Sequence, residues 1–211
     1  MARPRQTLLT RQRIVDAASA LVDAEGLEAL SMRRLAAELG VQGPSLYNHF
    51  PTKADILDAV ADGLTEQVDL SAFASQDWAS ALRRWARSYH SVLVAHPNLV
   101  PVLAHGPGRR PAGLAMADAV YGALIDAGWP PARATHIGAL MRYLVTGSAL
   151  GSFALGFDID PELYTRYPHL QAAPRLAEHH VAVDEGAFEL GLDLLINGLL
   201  AEKGLVDDVR A

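Results

Sequence analysis

The sequence predicts an all-α protein, with a small N-terminal helical domain followed by a larger C-terminal helical domain. Apolar residues recur at spacings of three and four along nearly the whole chain, which is the period of an amphipathic helix, and no segment alternates like a half-buried strand. With 211 residues, half of them hydrophobic, the chain has material for a small head and a larger body. We expect the first domain at residues 1–53 and the second at 54–211, with the fourth helix, from residue 53, shared between them.

The composition excludes several classes of site. Cysteine is absent, which rules out disulfides, thiolate metal sites and cysteine nucleophiles. The basic N-terminal residues lead into no apolar segment, so no signal peptide is expected. Residues 137–157 are the stretch most similar to a membrane span, but they include Arg142, and a charge inside a span is costly. We therefore expect a cytoplasmic protein that does not enter the membrane.

Charge is distributed unevenly along the chain. The formal net charge is −6, which by itself argues against a nucleic-acid partner. Residues 1–53, however, carry seven basic residues against five acidic ones, while the remainder is strongly acidic. A basic head on an acidic body directs its attractive field for polyanions to one end.

The N-terminal domain contains start and stop signals for four helices. Hydroxyl residues that cap helices precede three of the starts, and glycine ends the first two helices. The third helix begins with a proline and is expected to extend through Phe50. The signals are Thr10 and Gly26 for the first helix, Ser31 and Gly40 for the second, Pro44 for the third, and Thr52 with Asp55, a capping box, for the fourth.

The helices of the C-terminal domain are longer. Asp77 is expected to cap a helix that runs to about His96. A loop rich in glycine, proline and arginine follows, and the segment 158–174 is predicted to be irregular. The remaining predicted helices cover residues 112–127, 131–157 and 184–202, with Gly128 and Gly204 as stop signals.

Two short helices joined by a tight glycine turn, after a longer first helix, form a helix-turn-helix. The turn is Leu39–Gly40–Val41. The third helix is too short to be stable alone, so apolar packing beneath the turn must hold it. Its outward side chains are small, hydroxyl-bearing or amide-bearing, and such groups suit base edges and phosphates.

The segment Ser31–Leu57, SMRRLAAELGVQGPSLYNHFPTKADIL, resembles the signature of the tetracycline-repressor-like (TetR) family of regulators. The resemblance implies an all-helical homodimer whose heads enter successive major grooves of a palindromic double-stranded DNA operator. It implies DNA contacts by the following residues: Met32, Arg33, Gly43, Pro44, Ser45, Tyr47, Asn48, His49 and Lys53. Arg3 and Arg5 form either a minor-groove arm or a solvated tail.

A dimer surface is expected on the last two long helices. Small residues at spacings of three and four allow a second helix to approach closely, and a two-fold dimer pairs one patch with itself. The family interface uses these two helices. The residues expected there are Gly147, Gly151, Phe188, Leu192, Leu195 and Leu199. Burial within one subunit is the alternative, because small residues serve either purpose.

An effector site requires an apolar cavity with a few polar groups. Trp85 and Tyr89 are one helical turn apart and are suited to contact a planar ligand. The residues expected to bind the effector are Trp85, Tyr89, His105, Val120, Met141 and Leu144, and a plain core role is the alternative for each. The position that matches the metal-binding histidine of tetracycline-binding relatives falls near Leu103, so neither tetracycline nor a metal is expected. We expect a rather apolar effector and no cofactor.

The sequence thus favours a DNA-binding transcriptional regulator, a repressor that a small molecule releases from its operator. It contains no nucleophile motif, phosphate-binding loop or HExxH spacing, so an enzyme is not expected. The alternative function is a ligand-independent DNA-binding protein, either architectural or constitutively regulatory. Binding of a metabolite would raise the melting temperature only in the first case.

Overall fold

The structure, a computed structural model, describes residues 8–106 and 108–210, with side chains up to residue 205. These residues form α-helices and short 3₁₀ turns without a strand, which confirms the all-α class. The helices are α1 (Arg11–Glu25), α2 (Met32–Leu39), α3 (Gly43–Tyr47), α4 (Lys53–Thr65), α5 (Trp78–Ala95), α6 (Val100–Leu103), α7 (Pro111–Asp126), α8 (Pro131–Ala149), α9 (Ala173–Glu178) and α10 (His180–Arg210).

The chain divides into two compact units. The first contains residues 1–67 and 96–115, and the second contains residues 68–95 and 116–211. The first unit therefore includes more of the chain than the head of residues 1–53 expected from the sequence. Helix α7 begins in the first unit and continues in the second.

Helix α1 forms the base of the first unit. Thr10 Oγ1 accepts a hydrogen bond from the Arg13 amide at 3.2 Å, as its capping role predicts. Gly26 ends the helix with φ = 86°, a conformation that glycine adopts without a steric penalty. The buried face, which includes Ile14, Ala18 and Leu21, packs in a bundle with α2 and α4.

Helices α2 and α3 form the predicted helix-turn-helix. Ser31 Oγ caps α2 by accepting from the Arg34 amide at 3.1 Å. Gly40 is left-handed, with φ = 66°, and the amide of Val41 donates to the Ala36 carbonyl at 3.0 Å, which closes the turn. Leu39 and Leu46 are buried on either side of the turn and hold the two helices together.

Helix α3 ends at Tyr47, before the expected end at Phe50. The amides of His49 and Phe50 both donate to the Leu46 carbonyl at 2.9 Å, so the chain leaves the helix in a turn. Pro51 follows, and the residue before a proline is sterically disfavoured in a helix. Phe50 is fully buried and fixes this turn in the core.

Helix α4 has the predicted capping box. Thr52 Oγ1 accepts from the Asp55 amide at 3.2 Å, and Asp55 Oδ2 accepts from the Thr52 amide at 2.9 Å. Its buried side chains, among them Ile56 and Val60, face α1 and α6. The helix ends at Thr65.

The segment that follows α5 is tied to the last turn of α1. Asn98 Nδ2 donates to the carbonyls of Val22 and Asp23 at 3.0 and 3.1 Å. His96 Nδ1 lies 2.8 Å from Asp23 Oδ2. The Asn98 bond to the Asp23 carbonyl satisfies a group that the end of a helix leaves without an intrahelical partner, and the His96–Asp23 contact adds a link between side chains.

The second unit has its core among α5, α8 and α10, which pack on one another. Asp77 caps α5 as predicted, with its Oδ1 accepting from the Ala79 and Ser80 amides at 3.1 and 3.0 Å. Arg87 on α5 forms a two-pronged ion pair with Glu189 on α10, with its nearest N–O distance at 2.7 Å.

Two predicted helix boundaries in this unit were wrong. Helix α8 ends at Ala149 instead of Phe157, because Gly151 and Ser152 follow closely and both have low helix propensity. Helix α10 runs from His180 through Gly204 to Arg210. Gly204 does not have the positive φ of a glycine that ends a helix, and a single glycine within a helix of this length is tolerated.

The segment 158–174 contains more regular structure than expected, and α9 begins within it at Ala173. A 3₁₀ turn covers Pro161–Tyr164, and the Tyr164 hydroxyl accepts from the Asp158 amide at 2.8 Å.

In the part of the chain that the structure describes, none of the helices is long and apolar enough to cross a membrane.

Alanine substitution is expected to have opposite effects at two glycines. Gly40→Ala should lower the free energy of unfolding by about 1–2 kcal/mol, because position 40 is left-handed. Gly63→Ala should raise it by about 0.5–1 kcal/mol, because position 63 lies inside α4 with nothing within 4 Å of an added Cβ. Urea unfolding followed by circular dichroism measures both. Equal effects of the two substitutions would contradict the conformational role of Gly40.

Candidate nucleic-acid interface

The nine residues expected to contact DNA all belong to the first unit. Arg33, Pro44, Tyr47 and Asn48 are exposed, with Tyr47 at 54%. The others are half-buried: Met32, Gly43, Ser45, His49 and Lys53. The surface formed by the start of α2, by α3 and by the turn after it is called the α2–α3 surface below.

Helix α3 holds the centre of this surface in place. It has only five residues, with Pro44 in its first turn, and its Leu46 side chain is fully buried. A helix of this length does not persist alone in water, so the buried leucine determines where the polar side chains point. Asn48 and His49, expected on the helix, lie just beyond its end.

Arg11 supports the turn after α3, a role that the sequence analysis missed. Its guanidinium group lies 3.9 Å from the centre of the Phe50 ring, and Nη1 donates to the His49 carbonyl. The contact joins residues 38 positions apart. Local patterns give no signal for such a pair. The predicted arm residues Arg3 and Arg5 lie outside the described residues.

The adjacent arginines of α2 have different environments. Arg34 pairs with Glu25 at 2.6 Å and with Glu38 at 2.9 Å, and the hydrogen bond to Glu25 contributes most to raising its pKa. Arg33 is exposed and forms no ion pair with any side chain that the structure describes. Of the two, Arg33 is therefore the cation available to a phosphate.

Lys53 occupies the first position of α4 as expected, but its ammonium group is partly engaged. Nζ donates to the Leu27 carbonyl at 3.2 Å, which links the start of α4 to the turn after α1. An ammonium group has three donors, so this bond leaves others for a phosphate.

The first unit also contains a groove with a volume of about 320 Å³ that the sequence analysis did not predict. It is lined by residues of α1, of α4 and of the two positions after α4, together with Phe50. Val15, Val60 and Leu64 supply apolar lining, and the charged lining residues are Arg11, Asp16, Asp62 and Glu66. Its lining residues are separated by more than thirty positions in the sequence, so no local pattern indicates the groove.

Five of the six predicted effector residues belong to the second unit. Trp85, Tyr89, Val120 and Met141 are buried, and Leu144 is half-buried. His105 belongs to the first unit and is exposed, with Nδ1 2.8 Å from the Pro101 carbonyl. His105 therefore belongs to a different unit from the other five.

Trp85 and Tyr89 form an aromatic pair in the interior of the second unit. Their ring centres are 6.0 Å apart, with a tilt of 38°. Trp85 is only 3% exposed, and its Nε1 has no hydrogen-bond partner among the described residues. A buried N–H without an acceptor costs free energy, so this donor is suited to a ligand oxygen. Among the described residues, no group of three or more His, Cys, Asp or Glu side chains that could hold a metal ion occurs.

Burial changes the set of residues available for a dimer surface. Phe188, Leu192 and Leu199 are buried within the second unit, so they belong to the core of the subunit. The apolar residues of α10 lie on two faces of the helix, and the sequence alone does not show which face packs against the rest of the same chain. The exposed apolar side chains of α10 are instead Leu190, Leu194, Leu200 and Leu205, together with Val181 near its start.

Of the remaining predicted dimer residues, Leu195 is half-buried, and Gly147 and Gly151 are exposed. Gly151 lies beyond the end of α8, so it does not continue the small-residue face that Gly147 begins. The exposed apolar side chains on α8 are Leu140 and Tyr143.

Comparison with known proteins gives the same assignment for both parts of the chain. The profile of "Bacterial regulatory proteins, tetR family" matches residues 14–60, and that of "Tetracyclin repressor-like, C-terminal domain" matches residues 73–203. The tetracycline repressor protein class C of Escherichia coli is 32% identical over 214 residues, covering 96% of this chain and 95% of the repressor. An HTH-type transcriptional regulator of Saccharopolyspora erythraea is 32% identical over 208 residues, covering 94% and 87%.

A solved structure is similar over the same length. The Streptomyces coelicolor TetR family protein ActR, in complex with actinorhodin, has a TM-score of 0.73 and 31% identity, covering 94% of this chain and all of ActR (100%). The chain therefore belongs to the tetR family of bacterial regulatory proteins, and it is a DNA-binding transcriptional repressor controlled by a small-molecule effector.

Proposed function

We propose that this repressor acts in the cytoplasm as a homodimer that binds a near-palindromic operator through the head of residues 1–53. A planar, largely apolar small molecule that binds within residues 54–211 releases it. The observation that carries the DNA-binding part is the α2–α3 surface, where Arg33 and Tyr47 are exposed and Arg33 has no acidic partner among the described side chains. Two such heads would meet half-sites roughly 34–36 Å apart, one turn of duplex DNA.

Each part of the α2–α3 surface has a separate role in the proposal. Arg33 and Lys53 contact phosphates, which position the head without reading sequence. Ser45, Tyr47 and Asn48 contact sugars and base edges in the major groove. Gly43 and Pro44 have no hydrogen-bonding side chain, and they allow the backbone of α3 to approach the duplex closely. Met32 and His49 complete the contact surface at its two ends.

A comparison of Arg33 and Arg34 tests the interface, because the two substitutions remove the same charge. The probe is the duplex selected by the wild-type chain from random DNA. Arg33→Ala should weaken binding and lower the slope of log affinity against log salt concentration by about 1. Arg34→Ala should have a smaller effect on both, because Arg34 is already paired with Glu25 and Glu38. Fluorescence anisotropy at several salt concentrations measures the two quantities.

The comparison contradicts the proposed interface if Arg34→Ala weakens binding as much as Arg33→Ala does. Tyr47→Ala, at an exposed position outside the core, should abolish the complex and leave the circular dichroism spectrum unchanged. Retained binding by that variant would exclude α3 from the interface.

The homodimer is proposed on the exposed apolar residues of α8 and α10. Leu140, Tyr143 and Gly147 recur at spacings of three and four on α8, and Leu190, Leu194 and Gly198 recur at a spacing of four on α10, so each set lies on one face of its helix. The two helices contact each other, and a Cβ added at Gly191 would lie 2.9 Å from Leu144. Paired helices with exposed apolar faces are the surface that a second copy covers by two-fold symmetry.

Leu194→Arg is expected to dissociate the dimer, because it places a charge in the proposed apolar interface. The dissociation constant, measured by analytical ultracentrifugation, should rise at least roughly tenfold. Val94→Arg provides the control, since Val94 is also an exposed apolar residue but lies on α5. A dimer that tolerates Leu194→Arg and not Val94→Arg would place the interface on a different surface.

The effector class is proposed from Trp85 and Tyr89. The aromatic pair favours a planar, largely apolar molecule, and the unpaired Trp85 N–H favours a carbonyl or hydroxyl oxygen on that molecule. ActR, with 31% identity, is similar to this chain in its complex with actinorhodin. Actinorhodin is therefore a suitable first probe, with tetracycline as the second.

Trp85→Phe is expected to weaken probe binding roughly 5- to 10-fold, because phenylalanine keeps an aromatic ring and lacks the N–H donor. Titration calorimetry measures the affinity, and the rise in melting temperature caused by the probe gives a second readout. Trp78→Phe is the control, because Trp78 also lies on α5 but packs edge-on against Trp129 at 5.7 Å. Equal weakening by both substitutions contradicts the hydrogen-bond role. The absence of a melting shift with either probe contradicts the proposed effector class.

Release requires the effector to bind one conformation of the dimer better than the other. A coupling free energy of about 1–3 kcal/mol lowers operator affinity roughly 5- to 150-fold. Helix α4 is the proposed lever, because it follows the α2–α3 surface directly and packs against both α1 and α6.

A further inference from the structure

The residue before helix α7, Arg110, cannot act as a side-chain N-terminal cap, because a guanidinium group has no acceptor. The helix begins at Pro111, has no acidic residue in its first turn, and follows Arg110, whose positive charge is unfavourable at the N-terminus of a helix. Pro111 has no N–H group, so the first free donors of the helix are the amides of Ala112 and Gly113. Both need an acceptor from elsewhere in the chain.

Asp62 of α4 supplies that acceptor. Its Oδ1 accepts hydrogen bonds from the amide of Ala112 at 2.9 Å and from the amide of Gly113 at 3.4 Å. The carboxylate also places a negative charge next to the positive end of the α7 dipole. The cap of α7 is therefore a side chain 50 positions earlier in the sequence, on the helix that follows the α2–α3 surface.

The hydrogen bonds of Asp62 connect a rigid segment of α4 with a rigid segment of α7. Lys53 and Asp62 are nine residues apart on α4, which is on the order of 14 Å along the axis. Ala112 and Val120 are eight residues apart on α7, which is on the order of 12 Å. Hydrogen bonds weaken steeply when the donor and acceptor move apart or tilt, so neither helix can shift by more than a fraction of its diameter without breaking the cap.

We propose that Asp62 is a positioning residue that couples the DNA-bound position of α4 to α7. The inference rests on the proposed function and adds a specific residue to it. Asp62 touches neither the operator nor the effector. Because the carboxylate connects the two helices, a displacement of α7 also displaces α4. By thermodynamic linkage, operator binding then also changes the position of α7.

Asp58 provides a matched control. It lies one turn earlier on α4, is exposed, and forms no hydrogen bond or ion pair with a described residue. Removing either aspartate changes the charge of α4 equally, so a difference between the two variants reports the cap and not the charge. Alanine is also the best helix former, so neither substitution disrupts α4.

The first experiment measures amide exchange at Ala112 and Gly113 in the free protein by NMR. Asp62→Ala should accelerate exchange at both amides roughly fivefold, and Asp58→Ala should leave it unchanged. Asp62→Asn, which keeps an accepting oxygen but loses the charge, should give an intermediate rate. Exchange that is the same in Asp62→Ala and the wild type overturns the proposal, because the cap then does not form in solution.

The second experiment measures exchange over residues 112–126 by mass spectrometry, with and without the duplex selected by the wild-type chain. In the wild type and in Asp58→Ala, the duplex should change protection of this segment. In Asp62→Ala, the change should disappear while the duplex still binds. A merely structural cap would lower protection equally with and without DNA, so an undiminished DNA response in Asp62→Ala overturns the coupling alone. A wild-type chain that binds no duplex contradicts the proposed function as well.

Discussion

The structure depends on the burial of Leu46 beneath the Gly40 turn. Helix α3 has five residues, fewer than an isolated helix needs, so its polar surface exists only while that leucine packs against α2. The left-handed Gly40 sets the angle between the two helices, and Phe50 fixes the exit of the chain. Tyr47 is exposed next to the buried Leu46, so core packing and the proposed DNA contact are adjacent in the sequence and cannot vary independently.

The cations of the first unit differ in whether the fold already engages them. Arg34 is held by Glu25 and Glu38, and Arg11 lies against Phe50, so these cations support the fold. Exposed ion pairs of this kind contribute about 0–1 kcal/mol each, so their main effect is to set which cations are already neutralised. Arg33, without such a partner among the described side chains, retains its field for a polyanion. A weakly basic head on an acidic chain thus needs few free cations, provided that they lie on the α2–α3 surface.

Features that depend on neighbouring residues were predictable from the sequence. The caps Thr10, Ser31, Thr52 and Asp77 and the turns at Gly26 and Gly40 follow from local hydrogen bonding and backbone sterics, and all occur in the structure. The ends of α3 and α8 and the continuation of α10 through Gly204 could not be predicted from neighbouring residues. The local preferences for continuing or ending a helix there differ by less free energy than tertiary packing contributes. The burial of Phe188 and Leu192, the Arg11–Phe50 contact and the Asp62 cap join residues far apart in sequence, and no single-sequence pattern reports such pairs.

The energies of the coupling limit what a single residue can do. A side-chain cap contributes about 1 kcal/mol to a helix, whereas effector release requires about 1–3 kcal/mol of coupling. In the proposed coupling, Asp62 supplies the lower part of that range at most, and the packing of α4 against α1 and α6 supplies the rest. Close-packed side chains deform little, so two packed helices adopt one of a few discrete arrangements. A hydrogen bond is strong only within a narrow range of donor–acceptor distances. In this proposal, the cap determines when α4 moves, and the packing determines where it stops.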